Sequence, residues 1–245
     1  HGDYDADGVC GTAVLIIILR DICRQLHYDD VRFSTYIPHR EKEGYGLHEH
    51  TVHHLQKDVG TKLIITVDCG ISNYQAIELA HDLGMDVIVC DHHDVPEHIP
   101  QEAILIHPQV VGETYPFKHL SGTGVAFKFA HALLEEANRR GAGFHKGYEK
   151  WLLDLVAIAT VTDIMPLLGE NRVLEHYGLL VLNKTRRIGL KKLVEISGGE
   201  FGKLDTTSIG YQIGPRLNAA GRMHHADVAL QLLIEEDESR ALGLA

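Results

Sequence analysis

The run Leu63-Ile64-Ile65-Thr66-Val67-Asp68-Cys69-Gly70 decides how this chain is read. Its first five residues are all apolar or β-branched, too few for an ordinary helix and without the alternation of a half-exposed strand. That is the pattern of a strand covered on both faces in a parallel sheet. An acid and a glycine follow at once, so a charge leaves the core where the backbone gains freedom to turn. In an open parallel sheet the carboxyl ends of the strands line a ligand crevice, which makes the end of this strand the place to look for function.

Working outward, the same short pattern recurs at 31–37, 87–90 and 104–106, and a further strand is expected to end just before His1. Helical spacing over 11–26, 47–57 and 73–83 fills the gaps, with Gly84 placed to end the third helix. The expected fold is α/β, a doubly wound and mainly parallel sheet over 1–108. Beyond Pro108 the spacing at 124–140, 148–159, 172–183, 190–196 and from Ala226 onward is helical, with no strand pattern. Residues 109–245 are therefore expected to form a mainly helical extension packed on the sheet, since no repeat or low-complexity linker separates the halves.

Composition narrows the class. Of 245 residues 44% are hydrophobic and 23% charged, which excludes disorder, collagen and coiled coil. Apolar runs such as 13–19 are too short to cross a bilayer and no leader opens the chain, so a cytoplasmic setting is expected. Cys10, Cys23, Cys69 and Cys90 sit in apolar runs without a CxxC pairing and read as buried thiols. The formal net charge of -11 argues against a surface that attracts phosphate everywhere, so any contact with nucleic acid must be local. Because the chain opens on His1, inside a motif, it reads as part of a longer protein.

Four motifs carry chemistry. His1-Gly2-Asp3-Tyr4-Asp5-Ala6-Asp7-Gly8 packs one imidazole and three carboxylates into a glycine-flanked turn. Thr66-Val67-Asp68-Cys69-Gly70 places one acid at a strand end, and Val89-Cys90-Asp91-His92-His93-Asp94 places two imidazoles between two acids after another. Asp163 closes the apolar helix 148–159 just before Pro166. Taken singly, an acid after a strand is commonly a helix cap and a histidine is commonly ordinary surface or core. Taken together, so many like charges at one sheet edge are costly unless cations neutralise them. Mixed carboxylate and imidazole donors suit Mn²⁺, Mg²⁺ or Fe²⁺ better than a structural zinc, and their number suits two ions better than one.

These four motifs, in this order, resemble those of the DHH phosphoesterase superfamily. The segments Ser121-Gly122-Thr123-Gly124-Val125-Ala126-Phe127-Lys128 and Ile213-Gly214-Pro215-Arg216-Leu217-Asn218-Ala219-Ala220-Gly221-Arg222 resemble those of its RecJ-type single-strand exonucleases, as does Arg40-Glu41-Lys42-Glu43-Gly44-Tyr45-Gly46. The resemblance implies two divalent cations, Mn²⁺ or Mg²⁺. It assigns His1, Asp5 and Asp68 to the first and Asp7, Asp68, His92 and Asp163 to the second, with Asp68 bridging. His93 then acts on the phosphate or supports a ligand, and Asp3 and Asp91 orient ligands. It further implies 5′→3′ hydrolysis of single-stranded DNA to 5′-mononucleotides, with RNA as the alternative polymer, in repair and recombination; the alternatives within the family are a phosphoesterase acting on short oligonucleotides, cyclic dinucleotides or pyrophosphate, and a degenerate replication scaffold. A single-strand-binding protein or a helicase would be the natural protein partners. Relatives usually possess a DHH-associated domain and an OB-type domain downstream, and neither is read here.

Charge developing on a phosphodiester calls for cationic donors, for which Arg40, Arg216 and Arg222 are the candidates, with Asn218 assisting. Ser121, Gly122 and Gly124 read as a helix start suited either to a substrate phosphate or to an ordinary cap. Lys184, Arg186, Arg187, Lys191 and Lys192 form a second basic cluster, which either tracks the strand or is a solvated helix face.

Overall fold

The computed structural model describes residues 1–223 and 225–245. Strands β1 (Leu63–Val67), β2 (Asp86–Cys90) and β3 (Ala103–Ile106) pair in parallel in that order. Val67 pairs with Cys90 and Cys90 with Ile106. The ladder runs on past the strand ends, with Asp68 N–H donating to Cys90 O at 2.9 Å and Asp91 N–H to Ile106 O at 3.3 Å. On the other side of β1, Gly2 bridges Val67 in parallel and Asp3 N–H donates to Val67 O at 3.1 Å. Asp3, Asp68 and Asp91 are thereby set side by side on one sheet edge by backbone pairing alone.

The expected strand at 31–37 makes no ladder. Its neighbour on that side is the stretch 1–3, which gives it one backbone hydrogen bond, Gly2 N–H to Tyr36 O. A β pattern cannot become a strand without a partner of comparable length.

Helices cover both sheet faces. On one side lie α1 (Ala6–Leu26) and, further along the chain, α4 (Gly122–Arg139). On the other, α2 (Glu49–His54), continued by a π-turn over Leu55–Val59, and α3 (Tyr74–Asp82) close a smaller core around Leu47, Ile64, Ile77 and Val87. The first helix begins at Ala6 rather than Gly11, because Asp5 caps it through the Asp7 and Gly8 amides. Gly84 ends α3 as expected: at φ 76 it lets its own N–H reach His81 O and that of Met85 reach Ala80 O.

The second half is helical throughout. A 3₁₀ turn, Tyr148–Leu152, leads into α5 (Leu153–Thr162), and α6 (Gly169–Leu182) and α7 (Ile188–Ile196) follow. A single turn, α8 (Thr206–Ser208), and a π-turn over Ile209–Ile213 precede α9 (Gly214–Met223), α10 (Asp227–Ile234) and α11 (Glu238–Leu244). Leu153 to Thr160 of α5 are all buried, which makes it the axis of the larger core, with α1, α4, α6 and the π-turn against it. No helix among the described residues is long and apolar enough to cross a membrane. Cys10, Cys69 and Cys90 are buried free thiols and Cys23 is half-buried.

Glu175 of α6 is buried with neither carboxylate oxygen hydrogen-bonded. Burial pushes its pKa up to about 8, against the pull of Arg172. The folded state therefore holds a proton that the unfolded chain releases near 4.5, and this group's contribution to stability falls as pH rises from there to about 8. We expect Glu175→Gln to stabilise the fold at pH 8 by roughly 3 kcal/mol and to change it little at about pH 4.5. Melting curves of both proteins at the two pH values measure this; an equal shift at both would contradict it.

Candidate metal centre

Each acid is aimed by the local backbone. Asp5 uses Oδ1 to cap α1, accepting from Asp7 N–H at 2.9 Å and Gly8 N–H at 3.1 Å, and among the described residues no donor meets its Oδ2. Asp7 lies on the N-terminus of α4: Gly122 N–H donates to its Oδ2 at 2.7 Å and Thr123 N–H to its Oδ1 at 2.8 Å, while the Thr123 hydroxyl donates to Asp7 O at 2.6 Å. Asp68 adopts φ 61, a left-handed conformation that costs about 1–2 kcal/mol for a residue with a Cβ and is found where function demands it. Asp163 is the C-cap of α5, and the next residue, Ile164, is also left-handed at φ 57, unusual for a β-branched side chain.

Around His92 these acids converge. His92 Nε2 lies 3.1 Å from Asp68 Oδ1, 3.6 Å from Asp163 Oδ2 and 3.7 Å from Asp7 Oδ2. Asp3, Asp5 and Asp68 form a second group, and Asp68, His92 and His93 a third, with ligand atoms in each group within 4.8 Å of one another. Asp7, His92 and Asp163 make up the first group, so Asp68 and His92 each belong to two of the three.

His1 stands apart from these groups. Its ring stacks on Tyr36 with centroids 5.5 Å apart, Nδ1 lies 3.7 Å from Cys69 Sγ, and Nε2 is buried without a partner. Asp3, read from sequence as a support, offers its carboxylate to the group of Asp5 and Asp68. Asp91, also read from sequence as a support, accepts from the amides of Ile71, His92 and His93 and from His93 Nδ1–H at 2.7 Å. Tyr45, for which sequence left a choice between stacking and packing, donates its hydroxyl to Asp68 O at 3.0 Å and meets His93 Nδ1 at 3.0 Å.

The electrostatics are those of a site built for cations. Burial and the neighbouring carboxylates push Asp68 well above the usual carboxylate range, and burial with Asp7 raises Asp5. Burial and Asp5 raise Asp3 to about 7; burial, Asp7 and Asp5 raise Asp163 to about 7. Burial also opposes ionisation of Asp91, but the hydrogen bonds from His93 and Ile71 hold it below the ordinary value. His93 is raised, first by its hydrogen bond to Asp91.

Buried polar atoms are normally hydrogen-bonded. Here, among the described residues, His1 Nε2, Asp3 Oδ1, Asp68 Oδ1 and His92 Nε2 are buried without a hydrogen bond, the 3.1 Å approach of His92 Nε2 to Asp68 Oδ1 lacking hydrogen-bond geometry. Lone pairs left over on mixed oxygen and imidazole donors fit divalent cations such as Mn²⁺ or Mg²⁺.

The remaining sequence candidates sort by what they touch. Arg40 lies 4.9 Å over the Tyr4 ring, beside the acidic turn. Arg216 and Arg222 are exposed on α9, Arg216 donating to Gln212 O at 2.8 Å. The amides of Gly122 and Thr123 face Asp7, the Ser121 hydroxyl accepts from Gly124 N–H at 3.1 Å, and a methyl at Gly122 would lie 2.5 Å from Asp68 Oδ1. The turn that sequence offered to a substrate phosphate or to an ordinary cap thus holds the protein's own Asp7 carboxylate, and Thr123, which sequence reading passed over, fixes Asp7 twice. Asn218 Oδ1 accepts from Ala6 N–H at 2.7 Å. In the second basic cluster Arg187 pairs with buried Asp154 at 3.2 Å, Arg186 lies 3.5 Å over Trp151, and Lys192 meets Glu238 at 2.7 Å, so much of that charge is engaged within the protein.

A family model described as the DHH family, N-terminal domain, matches residues 1–160. The chain belongs to the DHH family. The whole chain is 44% identical to the single-stranded-DNA-specific exonuclease RecJ of Bacillus subtilis, covering 29% of that protein, and 37% identical to the RecJ of Thermus thermophilus, covering 33% of it. It superposes over its full length on a crystal structure of exonuclease RecJ bound to manganese, with TM-score 0.83, 36% identity and 58% of that chain covered. A RecJ of Thermus thermophilus in complex with Mn²⁺ matches with TM-score 0.77 and 32% identity over 33% of its chain. This DHH chain therefore spans about a third of the two curated relatives named here.

Proposed function

We propose that the chain is the catalytic core of a metal-dependent 5′→3′ exonuclease that releases 5′-mononucleotides from single-stranded DNA in repair and recombination. The observation that carries this reading is the convergence of Asp3, Asp5, Asp7, Asp68, His92 and Asp163 on one sheet edge, with unpartnered donors facing one another. The relatives' shared description as single-stranded-DNA-specific exonucleases supports the substrate.

Asp5, Asp68 and Asp3 or His1 would hold one ion, and Asp7, Asp68, His92 and Asp163 the other. Divalent ions bound there would neutralise the phosphodiester and lower the pKa of a water held between them. Asp91 keeps His93 oriented through Nδ1 and so directs its Nε2 edge toward a substrate phosphate. Arg216 and Arg222 supply charge to the non-bridging oxygens as they gain electron density, and Arg40 meets the strand beside Tyr4. Grip on the polymer is local, because the chain's net charge of -11 repels it elsewhere. We place the enzyme in the cytoplasm, with a single-strand-binding protein or a helicase as partner.

Arg216→Ala or Arg222→Ala is expected to lower kcat on the order of 10²-fold at saturating DNA and leave Mn²⁺ affinity unchanged. Single-turnover rates with metal titrations measure both. The direct test of the function follows 5′- and 3′-labelled single strands with Mn²⁺ in the full-length protein. Immediate release of labelled mononucleotide from the 5′ label, with progressive shortening of the 3′-labelled strand, is expected. Internal cuts, or attack from the 3′ end, would overturn the reading.

A further inference from the structure

Asn218 is 212 residues from Ala6 in the chain, yet accepts that residue's amide at 2.7 Å. Ala6 opens α1 between Asp5, its cap, and Asp7. Four amides at a helix start lack intrahelical partners. Val9 N–H makes the first intrahelical bond, to Asp5 O at 2.9 Å; ahead of it Asp5 Oδ1 serves the amides of Asp7 and Gly8, and the Ala6 amide is left for Asn218.

The rest of α9 is pressed onto the same turn. A methyl at Gly221 would lie 2.9 Å from Tyr4 O, and one at Gly214 would lie 2.3 Å from Thr162 Cγ2, the residue before Asp163. One short helix therefore touches both the acidic turn 3–7 and the end of α5, and its exposed face carries Arg216 and Arg222.

We propose that Asn218 is a positioning residue, not a substrate contact: through the Ala6 amide it fixes the turn that aims Asp5 and Asp7, so that α9 joins the strand-facing arginines to metal loading. The inference rests on the metal-dependent reading given above. Its chemistry is an outer hydrogen bond that orients ligands, and loss of such bonds typically costs roughly ten- to a hundredfold in metal affinity.

The test is Mn²⁺ affinity measured by calorimetry on the full-length protein without DNA. Asn218→Ala removes the acceptor and should weaken Mn²⁺ binding roughly ten- to a hundredfold. Asn218→Asp keeps an oxygen in place and should restore affinity to near that of the parent. Gly221→Ala, which pushes α9 off Tyr4, should weaken Mn²⁺ binding as Asn218→Ala does and so tests the same contact should that variant fail to fold. At saturating Mn²⁺ the KM for a short strand should be unchanged in all three. Parental Mn²⁺ affinity in Asn218→Ala and Gly221→Ala, or a loss confined to KM, would overturn the proposal. Absence of Mn²⁺ binding by the parent protein would instead bring down the metal reading itself, which separates the two failures.

Discussion

Asp68→Asn is expected to abolish hydrolysis, lowering kcat on the order of 10³-fold or more, and to reduce the number of tightly bound Mn²⁺ ions. Asp68 belongs to two of the three ligand groups, and its buried Oδ1 lies 3.1 Å from His92 Nε2 without hydrogen-bond geometry, leaving it free for a cation. Asparagine preserves the shape and tolerates φ 61 better than most residues, so the loss would report the charge, not the backbone. The same substitution is expected to raise the melting temperature of the metal-free protein, since it removes a buried carboxylate surrounded by Asp7, Asp5, Asp3 and Asp91. Activity and stability should thus move in opposite directions. Two retained tight sites, or a metal-free protein less stable than its parent, would remove Asp68 from the bridging position.

Chelation is expected to lower the melting temperature by on the order of 10 °C relative to protein saturated with Mn²⁺, because two sites filled to about a hundred times their Kd contribute roughly 5 kcal/mol. The effect carries a pH signature. Asp3 and Asp163 titrate at about 7 in the fold and near 3.8 when unfolded, and burial with like charges raises Asp5 and Asp68 in the same sense. The folded metal-free protein holds more protons than the unfolded chain between those values, so its stability should fall as pH rises from about 4 to about 7. Metal binding displaces those protons and should tighten over the same window. Calorimetric melts with chelator and with Mn²⁺, from acid to neutral pH, would show the two curves diverging as pH rises; parallel curves would mean that the acids do not share a cation site.

The metal edge was legible because parallel strands carry their own coordinates. Residues 63–67 and 87–90 are continuous apolar or β-branched runs, and once they pair in parallel, the acids that follow them must emerge together, as Asp68 and Asp91 do through the Asp68 to Cys90 hydrogen bond. Residues 31–37 have equally good β composition but only one backbone hydrogen bond to 1–3, and propensity does not reveal a missing partner. The small residues at 121–124 announced a helix start suited either to a phosphate or to an ordinary cap; Ser121 does cap it, but the anion on its amides, Asp7, lies 115 residues away from Gly122, and a carboxylate and a phosphate leave the same trace in sequence. Asn218 was legible as polar and close to arginines, whereas its bond to Ala6 depends on the packing of α9 against α1. Arg187 and Arg186 read as either a strand track or a solvated helix face because half-buried Trp151 and buried Asp154, which hold them, come from a different helical segment.

Anomalous diffraction at the manganese edge, from crystals of the full-length protein grown with Mn²⁺, tests the two-ion centre most directly. We expect two peaks roughly 3.5–4 Å apart, one on each side of the Asp68 carboxylate and the second against His92 and Asp163. A single peak, or two peaks that do not share Asp68, would contradict it.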